Sequence, residues 1–313
     1  MLVGISEAIR LLLTKKNFNS RAVASQASLI YFVFSALKFL SSRGPLVGQG
    51  VHPSLSSSLF KNTAETSEAL PTKQEADKDR SINLKKNKEA KDKSFNEWLA
   101  GLIDGDGCFQ VSKKGYASLE IVMETRDKHC LYLIKQKFGG SVKLKSGVNH
   151  VRYRLHHKKG LLSLIESVNG LIRNPTRLIQ LDKICALYNM KIQYAEPLTF
   201  DHGWLSGFFD SDGSVYFNLK SEQLFISASQ KNKFILDLLV DVYGGKVYIA
   251  GVKTGAFKWV LYRKNEIPGM LKYFTLHPSR SAKGNRILLI GKYFELIVLK
   301  AHKAKPDSLL GKA

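Results

Sequence analysis

Two kinds of hydrophobic periodicity organise this chain. Over residues 94 to 104 the apolar positions Trp98, Leu99, Leu102 and Ile103 recur at helical spacing, and Gly105 and Gly107 are placed to end that helix. Alternation takes over at once. Phe109 and Val111 oppose Gln110 and Ser112; Leu119, Ile121 and Met123 oppose Glu120 and Glu124; Val142 and Leu144 alternate with Lys143 and Lys145; Val151, Tyr153 and Leu155 alternate with Arg152, Arg154 and His156. The pattern then returns: Val215, Phe217 and Leu219 stand against Tyr216, Asn218 and Lys220, and Phe257, Trp259 and Leu261 against Lys258 and Tyr262. Period two over such lengths predicts half-buried strands. Each unit reads as helix, two strands, helix, two strands, helix: an α/β (α+β) layer with helices on the apolar face of a sheet and an open polar face.

The return is a duplication. "WLAGLIDGDGCFQV" (98 to 111) matches "WLSGFFDSDGSVYF" (204 to 217), and "FGGSVKL" (138 to 144) matches "YGGKVYI" (243 to 249), both at an offset of roughly a hundred residues. The units are placed at 94 to 193 and 203 to 303 and should be related by a pseudo-twofold axis. The connector lies near "YAEPLTFDH" (194 to 202), where Pro197 interrupts helix and Asp201 can cap the next one.

Upstream of residue 94 the composition differs. Residues 1 to about 43 carry Arg10, Lys15, Lys16, Arg21, Lys38 and Arg43 against Glu7, with several serines, as an organelle transit peptide does; a translated upstream exon segment is the rival reading. The apolar stretch "LIYFVFSALKFL" is broken by Lys38 and is short of the ~20 apolar residues that a membrane span needs. Residues 44 to 93 pass from Gly/Pro/Ser-rich sequence into "KQEADKDRSINLKKNKEAKDK", which offers little to bury and reads as linker, so residues 1 to 93 form a leader and charged linker expected to be poorly ordered.

Over the 313 residues, 48 Lys and Arg face 26 acidic residues, a net charge of +22, which points to a polyanion: nucleic acid or an anionic membrane surface. The 44% apolar content excludes a chain disordered throughout. Three cysteines, Cys108, Cys130 and Cys185, suit a reducing compartment better than a disulfide scaffold, and none has metal-ligand spacing. His129, His150, His156 and His157 are too irregularly spaced for a zinc site, and Trp98 and Trp204 read as core anchors. The open faces favour DNA. Gln110, Ser112, Lys143, Lys145, Arg152 and Arg154 in the first unit, and Tyr216, Asn218, Lys220, Lys246, Tyr248, Lys258 and Tyr262 in the second, can reach base edges or phosphates from strands in a groove.

Each unit also ends its first helix in Asp-x-Asp, where the macrodipole disfavours negative charge by about 0.3–1 kcal/mol when exposed. A single Asp-x-Asp-Gly reads equally well as a cap or turn. Two of them do not. If the helices pack side by side, with Ala100 and Gly101 against Ser206 and Gly207, their ends bring Asp106 and Asp212 together, and divalent cations would relieve the repulsion.

"LAGLIDGDG" and "LSGFFDSDG" resemble the motif helices of the LAGLIDADG homing endonucleases, in the single-chain form with two motifs, over about residues 94 to 303. The resemblance implies two αββαββα repeats forming a DNA-binding saddle, and a monomer that cuts both strands of a long double-stranded site to leave 3′-hydroxyl and 5′-phosphate ends, promoting intron mobility. It implies that Asp106 and Asp212 hold Mg²⁺, with Mn²⁺ able to substitute, assisted by the main-chain carbonyls of Gly105 and Ser211, and that Asp104 and Asp210 are structural. Relatives carry a basic residue before the last helix of each copy. "HPSRSAKGNR" supplies Lys283, with Arg280 behind it, whereas "IRNPTRLIQL" has no lysine and leaves Arg173 or Arg177. Gln230 resembles the residue that positions water, with Glu124 as its counterpart. The family also implies an alternative, an RNA-binding maturase for the host intron, and an organelle, mitochondrion or chloroplast, with no membrane partner required.

Overall fold

The computed structural model describes residues 73–218, 221, 223–251 and 255–312. The leader expected at 1–43, the first part of the linker up to residue 72, and Leu219 and Lys220 lie outside the described residues. Among the described residues no helix is long and apolar enough to cross a membrane.

The first helix is longer than its apolar pattern. α1 runs over Lys73–Asp106, 34 residues, so the stretch read as linker is helical from Lys73 onward. Glycine and proline are absent from residue 73 to residue 100, and Lys, Glu, Ala, Leu and Arg are good helix formers, so the helix nucleated by the buried motif propagates backwards. Residues 85–93 are exposed, and burial begins at Glu97. Gly105 lies inside the last turn instead of ending it.

The rest of the first copy is β1 (Gly107–Val111), β2 (Ala117–Glu124), α2 (Lys128–Phe138), β3 (Ser141–Leu144), β4 (His150–Leu155), α3 (Lys158–Val168) and α4 (Pro175–Leu187). The second repeats the order: α5 (Trp204–Asp212), β5 (Gly213–Asn218), β6 (Gln223–Gln230), α6 (Lys233–Tyr243), β7 (Lys246–Gly251), β8 (Ala256–Leu261), α7 (Ile267–Leu276) and α8 (Lys283–Val298). Both sheets are antiparallel and four-stranded, ordered β1-β2-β4-β3 and β5-β6-β8-β7. Each copy thus has the expected αββαββα order with one more helix. In the first copy Gly170, at φ +88°, and Pro175 divide what reads as one terminal helix into α3 and α4.

The repeated Gly-Gly explains itself here. Gly139 and Gly140 (φ +79° and +90°) and Gly244 and Gly245 (both +80°) turn the chain from α2 into β3 and from α6 into β7, in a backbone region costly for other residues. A Cβ on Gly140 would stand 2.7 Å from the Arg154 carbonyl, and one on Gly245 2.7 Å from that of Val260. Buried donors lock both turns: Tyr153 Oη donates to the Gly139 carbonyl (2.9 Å) and Trp259 Nε1 to that of Gly244 (2.8 Å).

Leu119, Ile121, Met123, Val151, Tyr153 and Leu155 are buried against the helices, as their alternation requires, and so are Val215, Trp259 and Leu261. Val111 and Leu144 are exposed despite standing in phase, because they lie at the ends of edge strands beyond the helices' cover. The extra helices shield the edge strands: Gln180 Oε1 accepts from Phe109 N–H (3.2 Å) beside α4, and Arg286 Nη1 donates to the Val215 carbonyl (3.4 Å) beside α8.

Candidate metal centre and nucleic-acid interface

α1 and α5 meet through glycine. A Cβ on Gly101 would lie 2.0 Å from the Trp204 carbonyl oxygen, and one on Gly207 1.8 Å from that of Trp98. The main chains therefore touch, with reciprocal contacts, as a pseudo-twofold axis demands. Further along, a Cβ on Gly105 would collide with Ser211 and stand 2.6 Å from Asp212 Oδ2.

The first aspartate of each motif locks this seam. Trp98 Nε1 donates across it to Asp210 Oδ2 and Trp204 Nε1 to Asp104 Oδ2, each at 2.8 Å. Each carboxylate also receives the main-chain N–H of the loop before its own copy's last helix: Arg173 N to Asp104 (2.7 Å) and Arg280 N to Asp210 (2.8 Å). Asp210 further accepts from Ser279 and Ser281. Asn174, in the first copy, instead donates to the Asp104 carbonyl (2.8 Å), and Asp104 Oδ1 has no partner among the described residues. Burial, opposed by the hydrogen bonds, pushes Asp104 up to about 7. Both tryptophans are anchored in the core, as their position suggested, and are donors as well.

The second aspartates converge at the far end. Burial first, and then the Asp212 charge, push Asp106 up to about 7; burial pushes Asp212 up to about 6 against a hydrogen bond from Gln230 Nε2 (2.7 Å). Lys283 Nζ donates to the Ser211 carbonyl (2.5 Å) and more weakly to that of Phe209 (3.3 Å), while Arg177 Nη2 donates to the Gly105 carbonyl (3.1 Å). Both cations stand at helix C-termini, where the dipole favours them, and both lower the two aspartate pKa values. Burial lowers Lys283, and the surrounding aspartates oppose that shift. The donor set is all oxygen, two carboxylates and two carbonyls, which suits a hard divalent cation completed by phosphate and water. Among the described residues no cluster of three or more His, Cys, Asp or Glu side chains could hold a metal, so such completion is required.

Register assigns the open faces. Gln110, Lys143, Arg152 and Arg154 stand on the side of the first sheet away from its helices, with Ser112 and Lys145 continuing the same phase beyond β1 and β3. Tyr216, Asn218, Lys246, Tyr248 and Lys258 do so in the second, and Tyr262 continues β8 in phase. The faces differ in character. The first pairs Arg152 with Glu120 (3.8 Å). In the second, Tyr216 stacks on Phe225 (centroids 5.1 Å apart, 7° between planes), Phe225 lies 5.9 Å from Tyr262, and Lys258 Nζ sits 4.6 Å over the Tyr216 ring.

Residues 99–186 match the family model described as LAGLIDADG endonuclease. The intron-encoded DNA endonuclease ai2b of Dictyostelium discoideum is 39% identical over 211 residues, 64% of this chain and 80% of that protein. The chain belongs to the LAGLIDADG endonuclease family. The intron-encoded RNA maturase bI4 of Saccharomyces cerevisiae is 45% identical over 224 residues, covering 70% of this chain and 35% of the maturase. The chain likewise spans little more than a third of the length of the Debaryomyces hansenii relative aI2, named a probable intron-encoded endonuclease. Among solved structures, the I-LtrWI LAGLIDADG homing endonuclease bound to target DNA superposes with a TM-score of 0.52 at 18% identity, covering 68% of this chain and 94% of that one. That likeness concerns the LAGLIDADG fold.

Within this LAGLIDADG scaffold Asp106, Asp212, Gly105, Ser211, Gln230 and Lys283 come together. Arg173 does not join them. Its guanidinium donates to the Glu196 carbonyl (2.6 Å) and lies 5.9 Å from the Trp204 ring centroid, as Arg280 lies 4.8 Å from that of Trp98. The residue that stands where Lys283 stands is Arg177, one helical turn further on. Glu124, expected as the counterpart of Gln230, is engaged with Arg126 (2.7 Å) and is one residue out of phase: Ile121 pairs with Gly107 as Ala228 pairs with Gly213, so the buried Met123 stands where Gln230 stands. Sequence reasoning missed the Trp–Asp exchange, Ser279, Ser281 and the aromatic patch at Phe225. The recurrence of Trp and the first Asp at one spacing in both motifs was the available signal for the exchange.

Proposed function

We propose that this family member is a site-specific DNA homing endonuclease that hydrolyses phosphodiesters in both strands of a long duplex site, with a divalent cation as cofactor. The observation that carries the reading is the convergence of Asp106 and Asp212, both raised by burial and Asp106 also by the Asp212 charge, at the ends of two helices in main-chain contact. Asp106 and Asp212, with the carbonyls of Gly105 and Ser211, would hold the cation, Mg²⁺ with Mn²⁺ able to replace it. Bound there, it would supply Lewis-acid polarisation of the phosphodiester and neutralise charge on the departing 3′ oxygen.

The chain's own residues do the remainder. Gln230 fixes the Asp212 carboxylate and can hydrogen-bond a water beside it. Lys283, lowered by burial, can exchange a proton, whereas arginine is a poor proton acceptor and Arg177 serves as a hydrogen-bond donor to the Gly105 carbonyl. The strand faces supply phosphate and base contacts. The products carry 3′-hydroxyl and 5′-phosphate ends, the chain acts as a monomer because it contains both half-sites, and the compartment is the mitochondrion, with the chloroplast as alternative.

The test is cleavage of the intron-lacking allele of the host gene with Mg²⁺. Cleavage should vanish in Asp106→Asn and Asp212→Asn while binding survives. An intact enzyme that never cuts that allele sinks the reading. A second reading, intron RNA maturase, is favoured by the 45% identity to bI4. Intron splicing that needs the protein but tolerates both Asp→Asn changes would select it.

A further inference from the structure

The two open faces carry different chemistry, and we infer that the two half-sites of the target differ in base composition: G·C-reading under the first sheet, A·T-reading under the second. This rests on the endonuclease reading and extends it to the class of sequence recognised.

On the first sheet Arg154 stands opposite Glu120 in register, and Arg152, one rung along, reaches the same carboxylate at 3.8 Å. Lys143 lies opposite Arg152. In the major groove guanine presents O6 and N7 acceptors and cytosine an N4 donor; the arginine fork, absent from the described strands of the second sheet, matches the first bidentately and Glu matches the second, whereas lysine stands on both faces and does not distinguish them. Guanidinium and carboxylate side by side therefore complement both edges of a G·C pair.

The second sheet has no carboxylate on its open face among the described residues. Its centre is Tyr216, Phe225, Tyr262 and Val260, with Val260 buried at 7% exposure even though its side chain points away from the helices. An apolar surface in the major groove meets the thymine methyl, the one apolar group displayed there. At the rim Asn218 is opposite Gln223, and Asn and Gln match adenine N6 and N7. Rings stacked on each other, one with an ammonium over it, have little face left for an unpaired base, which favours groove contact over single-strand stacking.

The experiment is selection of duplexes from a randomised double-stranded library by the full chain in EDTA, followed by sequencing, so that no cleavage is needed. Enriched sites should hold G·C positions in one half and A·T positions in the other. Arg154→Ala should flatten only the G·C half, and Phe225→Ser only the A·T half, each by on the order of tenfold at its base pair. Retained selection of the untouched half shows that a variant is folded. Enriched sites with equal composition in the two halves, or a variant that flattens the opposite half, overturn the inference and leave the endonuclease reading standing. Enrichment of no duplex overturns both.

Discussion

Replacing Gly101 by alanine tests the seam directly. The new Cβ would sit 2.0 Å from the Trp204 carbonyl oxygen and 2.6 Å from the Phe208 nitrogen, and real Cβ contacts are essentially never under 3.0 Å. Both obstacles are main chain of a buried helix, so no side chain can swing aside. The helices must part by about 1 Å. Overpacking of this kind costs about 1–3 kcal/mol, and the immovable partners place this case at the upper end. Alanine regains about 1 kcal/mol over glycine in a helix, leaving a net loss of about 2 kcal/mol. Gly207→Ala should cost the same, since its Cβ would stand 1.8 Å from the Trp98 carbonyl. One separation of about 3 kcal/mol relieves both clashes while the two alanines regain about 2 kcal/mol, so the double variant should lose about 1 kcal/mol, well under the sum of the single losses. The same displacement reaches Gly105 and Ser211, and a 1 Å misplacement can cost about a hundredfold in rate. Urea unfolding of the four proteins, with cleavage rates at saturating Mg²⁺, measures both effects. A Gly101→Ala protein as stable and as fast as the parent would refute the main-chain contact.

Other outcomes follow from the same geometry. Trp98→Phe leaves Asp210 without its cross-seam donor and should lower stability by about 1–3 kcal/mol in denaturant unfolding; an unchanged midpoint would mean the indole bond carries nothing. Asp106 and Asp212 have folded pKa values of about 7 and about 6, above the 3.8 of an ordinary aspartate, so the folded state retains protons that the unfolded chain releases. In EDTA, stability should therefore fall as pH rises from about 4 to about 7, with Asp104 contributing in the same direction, and Mg²⁺ should restore part of the loss at pH 8; a rise with pH in EDTA would contradict the burial argument. Lys283→Met should slow scission of one strand more than the other, because Arg177 still serves its own carbonyl; equal slowing of both strands, read on end-labelled duplexes, would argue against separate centres. Each of Lys143, Arg152 and Arg154 that meets a phosphate should, when neutralised, reduce the slope of log affinity against log salt by about 0.9. No change in slope for any of the three would remove them from the backbone contacts.

The fold was legible wherever apolar residues keep strict period. Val151, Tyr153 and Leu155 are buried as their spacing requires, and the duplicated motif led to the two-sheet architecture. The stretch before residue 94 misled because helix in residues 85–93 comes without burial, and hydrophobic pattern reports only burial. The division of α3 from α4 turned on Gly170 and Pro175, local signals inside a longer apolar run. At the site, the choice between Arg173 and Arg177 depends on which arginine the Asp104 hydrogen bond pins at the loop and which it leaves one turn further along. That is tertiary information. Strand alternation identified the polar face of the second sheet but gave no sign that Phe225, in phase with that face, would gather Tyr216 and Tyr262 around it.

The reciprocal Trp–Asp bonds divide the molecule by how freely it can change. Residues along α1 and α5 answer to partners on the opposite copy, so drift there needs matched change in both halves. The outward-facing strand positions answer mainly to whatever lies against them, and each sheet can be altered without consulting its twin. After the duplication the halves could therefore acquire unlike preferences while the hinge between them stayed fixed. A protein engineer inherits the same arrangement: two independently adjustable jaws on one joint, which can be retuned one at a time or exchanged between relatives that keep the two glycines and the two tryptophan–aspartate pairs.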